Sequence, residues 1–293
     1  MKTYGDYLAA IFPGIKVQKI SIDAGFTCPN RDGSIGSGGC IYCRNDSFSP
    51  GYCNPGETVK EQLEKGKRFF RRKYPEMKYL AYFQRYTGTY GHSSEELKKI
   101  YEDAIEVDDI VGLVIGTRPD CLPGGIIEML GELNREKPVF MEIGAESSHD
   151  ETLSLINRNH CWEDVEISVR RLSGKGLRCG LHLIAGLPGE NDEMVLETVK
   201  RTCELPIETL KLHQLQILKD TPLSKYWKEG KIKVKEYSLE EYLNLCKEIV
   251  RIVPERIIIE RYLSQSPPEM VESPKWGLKN YEFMSKLAHY LKE

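Results

Sequence analysis

Residues 110–143 decide the fold class and read IVGLVIGTRPDCLPGGIIEMLGELNREKPVFMEI. The segment opens with an apolar run at 110–115 that has the length and β-branched content of a buried strand. A helical pattern follows at 126–134, and a second strand-like run occupies 139–143. A strand, a helix and a strand in this order predict a βαβ unit, in which the two strands lie parallel in one sheet.

The same alternation continues in both directions from this unit. Further strands are predicted at 17–22, 79–83, 179–185, 209–215 and 257–260, and further helices at 58–73, 94–106, 151–156, 162–175, 192–203, 239–252 and 280–291. Six strands with intervening helices predict an α/β fold, a partial (β/α)6 TIM-like barrel at 14–218 with a C-terminal extension packed on it at 219–293. Functional loops are expected at the carboxyl ends of the strands.

Composition excludes several classes of protein. A chain of 293 residues with 40% hydrophobic and 29% charged residues is not disordered, and a net charge of −3 gives no overall positive field for nucleic acid. The longest near-apolar run, at 110–116, is far shorter than the roughly 20 residues that cross a bilayer, and the first residues lack a signal peptide. We therefore expect a cytoplasmic protein with no membrane partner, whose 9 cysteines are thiols or metal ligands rather than disulfides.

Three cysteines cluster directly after the first predicted strand. Cys28, Cys40 and Cys43 have the spacing C-x11-C-x2-C, and the four glycines between Cys28 and Cys40 let the backbone fold back so that the sulfurs converge. Three thiolates on a 4Fe-4S cube leave one iron open to another ligand. The alternatives are a structural zinc site that borrows a distant histidine, and cysteines that only pack in the core.

The loop resembles the cluster loop of radical S-adenosylmethionine (SAM) enzymes, with Tyr42 as the aromatic residue before the last cysteine. The whole chain is similar to the bacterial YhcC/YtqA family, itself related to the radical domain of the elongator catalytic subunit. This resemblance implies a 4Fe-4S cluster held by Cys28, Cys40 and Cys43, with S-adenosylmethionine on the fourth iron. It also implies one-electron cleavage of that cofactor to methionine and a 5′-deoxyadenosyl radical, with a reductase such as flavodoxin or ferredoxin as electron donor.

Three further residues match cofactor contacts of the related enzymes. The resemblance implies that Glu146 contacts the adenosine ribose, that Arg158 pairs with the methionine carboxylate and that His182 lies near the ribose. The residue types suit these roles, because arginine offers a planar fork to a carboxylate while carboxylate and imidazole groups bond hydroxyls. The alternatives are a surface ion pair for Arg158 and a core histidine for His182.

The chain departs from its relatives at two places. Where relatives carry a glycine-rich turn for the methionine amino group, this sequence has Phe-Gln-Arg-Tyr-Thr-Gly at 83–88. Gln84 and Thr87 are the candidates for that role, and packing at the strand end is the alternative. Gly116 stands where many relatives place an acidic residue, which removes one expected ribose contact.

Two basic clusters are candidates for RNA binding. The first consists of Lys65, Lys67, Arg68, Arg71, Arg72 and Lys73, and the second of Lys219, Lys225, Lys228, Lys231, Lys233 and Lys235. Local positive charge of this kind neutralises phosphates, although the first cluster also fits the solvated face of an amphipathic helix.

The resemblance implies tRNA as partner, with modification of the C5 side chain of the wobble uridine. Two rival functions are a small-molecule radical enzyme of the coproporphyrinogen-oxidase type and a non-catalytic iron-sulfur or zinc binding protein.

Overall fold

The computed structural model describes residues 2–72 and 76–292. Within these ranges the α-helices are α1 (Tyr4–Ile11), α2 (Val59–Arg71), α3 (Ser94–Ile105), α4 (Gly124–Glu136), α5 (Asp150–Leu155), α6 (Trp162–Gly174), α7 (Asp192–Cys203), α8 (Pro222–Lys228), α9 (Leu239–Ile252) and α10 (Asn280–Tyr290). The strands are β1 (Val17–Ile22), β2 (Lys78–Phe83), β3 (Ile110–Thr117), β4 (Val139–Glu146), β5 (Arg178–Ala185), β6 (Thr209–Gln214), β7 (Ile217–Leu218), β8 (Ile258–Arg261) and β9 (Val271–Ser273). Every strand and helix predicted from the sequence is therefore present, within a few residues of its expected bounds.

The main sheet has 7 strands in the order β1-β2-β3-β4-β5-β6-β8. All neighbouring strands are parallel, and the sheet curls into a partial barrel with helices on its outer face. This confirms the predicted α/β partial barrel. Strand β8 comes from the C-terminal extension and pairs with β6, so the extension shares the sheet as well as packing on it.

Several helices begin at a residue that satisfies their free backbone N–H groups. Thr58, Ser93 and Ser238 precede α2, α3 and α9, and each forms a capping box with a glutamate three residues later. Such reciprocal bonds fix the start of a helix, and their Ser/Thr-x-x-Glu pattern is visible in the sequence. This explains why the predicted starts of these helices are accurate.

Helix α1 closes the amino end of the barrel. Its Leu8 and Phe12 pack inside the sheet against Leu80, Val114 and Phe140, which point inward from β2, β3 and β4. The sequence analysis did not predict this helix or α8, and it did not predict the small antiparallel sheet of β7 and β9. These elements are short, so their hydrophobic period spans too few residues to stand out.

A cluster of buried charges, the floor cluster, lies inside the barrel and consists of Lys19, Glu142, Lys211 and Glu260. Lys19 Nζ lies 2.6 Å from Glu142 Oε1 and 2.7 Å from Glu260 Oε1, and Lys211 Nζ lies 2.6 Å from Glu142 Oε2. Lys19 is on β1 and Glu260 on β8, the two edge strands of the sheet. The floor cluster therefore ties the open edges of the barrel together through its interior.

No helix within the described parts of the chain combines the length and the apolar character that crossing a bilayer requires.

Candidate active site at the carboxyl ends of the strands

A cavity of about 270 Å³ opens at the carboxyl ends of the barrel strands. Its wall contains every cysteine and cofactor residue predicted from the sequence: Cys28, Cys40, Cys43, Gln84, Thr87, Glu146, Arg158 and His182. Glu142 and Lys211 of the floor cluster form its inner end. The structure thus brings together side chains spread over 155 positions of sequence, and the individual roles assigned to them stay predictions.

The loop that carries the cysteines is folded by its own backbone. The N–H of Arg31 donates to the Cys28 carbonyl at 2.8 Å, and the N–H of Cys43 donates to the Cys40 carbonyl at 3.0 Å. Gly39 has φ +80, and a Cβ there would lie 2.9 Å from the Arg31 guanidinium. Only glycine accommodates both the left-handed backbone and this close approach.

Amide groups point at two of the three thiols. Asn30 Nδ2 lies 3.6 Å from Cys40 Sγ, and Asn45 Nδ2 lies 3.3 Å from Cys43 Sγ. Hydrogen bonds to cluster sulfurs shift the reduction potential of an iron-sulfur centre. The sequence analysis missed both asparagines, although each stands two residues after a cysteine and that repetition was a usable signal.

The turn after α5 clamps the cysteine loop. Asn157 Nδ2 donates to the Gly39 carbonyl at 2.8 Å, and its own carbonyl accepts from Asn30 Nδ2 at 2.5 Å. Asn159 Nδ2 donates to Asn30 Oδ1 at 2.6 Å. Both clamp asparagines have φ +57, a conformation that asparagine tolerates better than most residues.

Burial holds the Cys43 thiol in its protonated form in the absence of iron. The pKa of Cys43 is raised to about 12 by burial and then by neighbouring Cys40, and the opposing charge of Arg31 does not compensate. Iron must therefore displace a proton from this thiol, since the thiolate is the ligand. Within the described residues no three ligating side chains are arranged for a single metal ion. Three free thiols around one cavity suit a cluster, in which each sulfur binds a different iron.

Arg158 is buried between the cysteine loop and the end of β4. Its Nη2 donates to the Gly144 carbonyl at 2.6 Å and lies 3.4 Å from Glu146 Oε1, while Nη1 lies 3.7 Å from Cys40 Sγ. Glu146 has φ +66, which turns its side chain back toward the cavity wall. The alternative of a surface ion pair for Arg158 is wrong, because the side chain is buried.

The turn after β2 supplies polar groups at the place where relatives carry glycines. Thr87 is buried, and its Oγ1 has no hydrogen-bond partner among the described residues. Gln84 Oε1 accepts from Ser21 Oγ at 3.2 Å. A Cβ at Gly116 would lie 3.3 Å from the Phe83 carbonyl, so the wall has little room for the acidic side chain of other relatives.

His182 lies where the cavity meets the floor cluster. Its Nε2 is 3.0 Å from Glu142 Oε2, and it is only partly buried, so the alternative of a core histidine does not describe it. Burial alone would raise the pKa of Glu142, but the ammonium groups of Lys19 and Lys211 outweigh burial and hold it well below its ordinary value. Glu142 is therefore a carboxylate that both lysines and His182 share.

Polar atoms without partners mark the wall as a binding surface. Thr87, Arg118 and Gln216 line the cavity, and each has a buried polar atom (Oγ1, Nη1 and Oε1, respectively) with no hydrogen-bond partner in the described chain. Leaving such groups unpaired costs free energy, so a polar ligand in the cavity would relieve that cost. A cluster held by the thiols and a cofactor with amino, carboxylate and ribose groups fit this wall.

The first basic cluster lies largely away from the cavity. Lys67 is buried, with Nζ 2.7 Å from Glu64 Oε1, so it does not lie on the solvated face. Arg71 Nη2 lies 2.5 Å from Asp109, which immediately precedes β3 and so marks the amino end of the sheet. Lys65 pairs with Glu57, Arg68 and Arg72 are exposed, and Lys73 lies outside the described residues.

The second basic cluster lies beside the cysteine loop. The N–H of Leu223, at the start of α8, donates to the Ile41 carbonyl at 2.9 Å, and Arg44 Nη1 donates to the Lys219 carbonyl at 2.6 Å. Lys219 and Lys225 are exposed and form no ion pair with the described residues. Lys228, Lys231 and Lys235 pair with Glu272, Glu229 and Asp192.

Two family models match almost the whole chain. The model of the Radical SAM superfamily matches residues 30–202, and that of the Radical_SAM C-terminal domain matches residues 207–293. The superfamily match confirms the predicted cofactors, a 4Fe-4S cluster and S-adenosylmethionine.

Relatives match most of this chain. YtqA of Bacillus subtilis is 35% identical over 271 residues, which cover 92% of this chain and 83% of that protein. YhcC of Escherichia coli K12 is 35% identical over 281 residues, covering 96% and 89%. A tRNA uridine(34) acetyltransferase of Methanocaldococcus infernus is 28% identical over 201 residues, covering 66% of this chain and 36% of that protein.

Solved structures share the fold at lower identity. Elp3 of Methanocaldococcus infernus superposes with a TM-score of 0.65 at 20% identity, covering 95% of this chain and 63% of that chain. Coproporphyrinogen III oxidase (HemN) of Escherichia coli gives a TM-score of 0.54 at 16% identity, with 86% and 56% covered. This chain thus spans less than two thirds of either solved chain. From the family models and the 35% identity to two relatives, the chain belongs to the radical SAM superfamily, in the group that includes YtqA and YhcC.

Proposed function

We propose that this radical SAM enzyme modifies the C5 side chain of the wobble uridine in tRNA. The observation that carries the proposal is the 28% identity to a tRNA uridine(34) acetyltransferase over 66% of this chain. When bound, the cluster and S-adenosylmethionine supply a 5′-deoxyadenosyl radical, which abstracts hydrogen from an unactivated carbon.

The chain's own residues bind and orient that chemistry. Arg158 and Glu146 lie at the end of β4 beside the cysteine loop, in position to contact the carboxylate and the ribose of the cofactor. The far end of the barrel is filled by α1 and the floor cluster, which keeps bulk water out from that side. A substrate therefore enters through the mouth, past the cysteine loop and α8.

The mouth carries a surface suited to RNA, the mouth surface, which we define as Phe48, Lys219, Lys225 and Tyr226. Phe48 is 37% exposed and Tyr226 is 38% exposed, so both rings are accessible for stacking on bases. Lysines that neutralise phosphates and rings that stack on bases are the two elements of single-strand recognition. An unpaired anticodon base can be splayed out and inserted, as sequence-specific RNA binding generally requires.

A second cavity adjoins the first on the side of the C-terminal extension. It shares Gln214 and Gln216 with the main cavity and is lined further by Trp276, Lys275 and Lys279. Amides, an indole ring and lysines supply contacts for base edges, a stacked base and phosphates. This arrangement supports binding of nucleotides next to the reacting one.

Two further parts of the proposal concern the cell. A reductase such as flavodoxin or ferredoxin supplies the electron, and the protein works in the cytoplasm, where tRNA is found. Both expectations come from the resemblance and the sequence.

The position of RNA is tested by two matched double variants. Lys219→Gln with Lys225→Gln should weaken tRNA binding and reduce the slope of log affinity against log salt by about 1.4 to 1.8, since each phosphate contact contributes about 0.7 to 0.9. Arg68→Gln with Arg72→Gln, two exposed residues in α2 and directly after it, should match the wild type. The reverse result would place RNA on α2 and contradict the proposed mouth surface.

The substrate itself is tested in cells. The nucleosides of tRNA are compared between cells with and without the protein, and we expect the loss of one modified uridine at the wobble position. Unchanged nucleosides, together with no retention of tRNA by the purified protein, would contradict the proposal and favour a small-molecule substrate.

A further inference from the structure

Arg118 is a buried charged side chain, and one nitrogen of its guanidinium has no hydrogen-bond partner among the described residues. The residue is 2% exposed and follows β3 in the cavity wall. Its Nε donates to Asp120 Oδ1 at 2.9 Å, and its Nη2 donates to Asp120 Oδ2 at 2.7 Å and to the Arg158 carbonyl at 2.9 Å. Nη1 is buried and has no partner among the described residues.

The contacts that Arg118 makes hold its Nη1 in a fixed position. A bidentate pair with Asp120 fixes the plane of the guanidinium, and the bond to the Arg158 carbonyl fixes its rotation. A buried charged donor without an acceptor is costly. Such a group persists in a native structure when an absent partner completes it.

Of the three cysteines, Cys28 has the largest electrostatic influence on Arg118. Cys28 lines the cavity together with Arg118, and its charge acts both on Arg118 and on the neighbouring Cys121. The other arginine of the wall, Arg158, is engaged elsewhere, with Nη1 at 3.7 Å from Cys40 Sγ and Nη2 near Glu146. The two arginines thus act on different cysteines, Arg158 on Cys40 and Arg118 on Cys28.

We propose that Nη1 of Arg118 donates a charge-assisted hydrogen bond to the iron-sulfur cluster at its Cys28 corner and thereby raises the reduction potential of the cluster. Reduction adds one negative charge to the cluster, and a fixed positive donor stabilises the reduced form more than the oxidised form. Asp120 counterbalances part of this effect, because its carboxylate is paired with the same guanidinium. Arg118 is therefore a tuning residue that acts independently of the identity of the substrate.

The test is a redox titration of the reconstituted full-length protein, monitored by electron paramagnetic resonance, without S-adenosylmethionine. In Arg118→Gln we expect unchanged iron content and a tenfold lower ratio of reduced to oxidised cluster at a fixed potential, equivalent to about 59 mV for a one-electron couple. Arg118→Lys, which keeps the charge but loses the fork, should fall between the two. Arg171→Gln is the matched control, because Arg171 also donates to a backbone carbonyl but lies exposed on α6.

A variant of opposite sign protects the test against misfolding of Arg118→Gln. Asp120→Asn removes the counterbalancing charge and should raise the midpoint potential. An unchanged potential in a fully loaded Arg118→Gln protein would overturn the proposal, as would an unchanged or lowered potential in Asp120→Asn. A change confined to the affinity for S-adenosylmethionine would also overturn it and assign Nη1 to the cofactor carboxylate.

Discussion

The two ends of the active-site cavity satisfy their charges in different ways. At the floor, each carboxylate has lysine partners, with Glu142 held by Lys19 and Lys211 at 2.6 Å. At the rim, by contrast, three thiols form no disulfide, and the Nη1 of Arg118 and the hydroxyl of Thr87 have no hydrogen-bond partner in the described chain. The floor is complete in the protein alone, whereas the rim is completed by its cofactors.

This difference means that the stability of the barrel and the binding of cofactors depend on different residues. The floor cluster joins the edge strands β1 and β8, so its loss should loosen the barrel. The rim residues lie on loops beyond the strands, so their loss should remove cofactors and leave the barrel folded. Substitutions at the floor should therefore lower stability, whereas substitutions at the rim should lower cofactor binding.

The largest effect is expected from the cysteines. Cys28→Ala, Cys40→Ala or Cys43→Ala should each abolish cleavage of S-adenosylmethionine, because a cube that loses a thiolate no longer keeps its open iron in place. The wild type should bind about four irons per chain. Iron analysis, visible absorption and product assays check this result.

Cys203→Ala is the matched control for the cysteine variants. Cys203 is a free, half-buried thiol at the end of α7, away from the cavity wall. It should keep full iron content and cleavage. One zinc per chain in the wild type, with no reducible cluster, would contradict the prediction.

The sequence predicts the strands and the rim for physical reasons. Apolar runs such as 110–115 and 139–143 are short, contain β-branched residues and are flanked by glycine or proline, which favours a buried strand over a buried helix. The three cysteines share one loop, so their convergence depends on local backbone geometry. The glycines in the loop indicate that geometry, because they permit tight turns.

The floor could not be predicted in the same way. Lys19, Glu142, Lys211 and Glu260 are isolated charges on four strands, and their pairing depends on the register and the curl of the whole sheet. The unpaired nitrogen of Arg118 is visible only once Asp120 and Arg158 are in place. Long-range placement, rather than local pattern, sets these features.

The next largest effect is expected at the floor. Glu142→Leu should lower the free energy of unfolding by about 3 to 5 kcal/mol, because it leaves Lys19 and Lys211 buried with too little opposing charge. Urea unfolding of the wild type and the variant measures the difference. Glu132→Ala is the matched control, since Glu132 forms an exposed pair with Lys98, and its loss should cost about 0 to 1 kcal/mol. Equal losses in the two variants would show that the floor cluster does not hold the barrel closed.

A smaller effect is expected from Arg158 at the rim. Arg158→Ala should weaken binding of S-adenosylmethionine by about 1.5 to 3 kcal/mol, the value of a hydrogen bond to a charged group, which is at least tenfold in affinity. Iron content should stay close to that of the wild type, because Cys40 keeps its bond from Asn30. Calorimetric titration and iron analysis on the same preparation check both parts, and unchanged affinity would remove Arg158 from the cofactor site.

The smallest expected effect is a dependence of stability on pH, which should differ between His160, a neighbour of Arg158, and Glu142 at the floor. Burial, followed by the charge of Arg158, lowers the pKa of His160 from about 6.5 to about 3, and Arg158 Nε donates to its Nε2 at 3.0 Å. A base whose folded pKa lies below its unfolded pKa contributes stability above the unfolded value and loses it as the pH falls, by up to about 1.4 kcal/mol per pH unit. Between pH 7 and pH 5 this rim residue should therefore destabilise the protein progressively, whereas Glu142, whose pKa is held low, loses its contribution only below its ordinary value of about 4.3. His160→Gln keeps an acceptor for Arg158 but has no titrating group. Its free energy of unfolding should therefore fall less steeply over that range, by up to about 1.4 kcal/mol per pH unit. Parallel curves for variant and wild type in urea unfolding across the pH series would show that folding does not lower the pKa of His160.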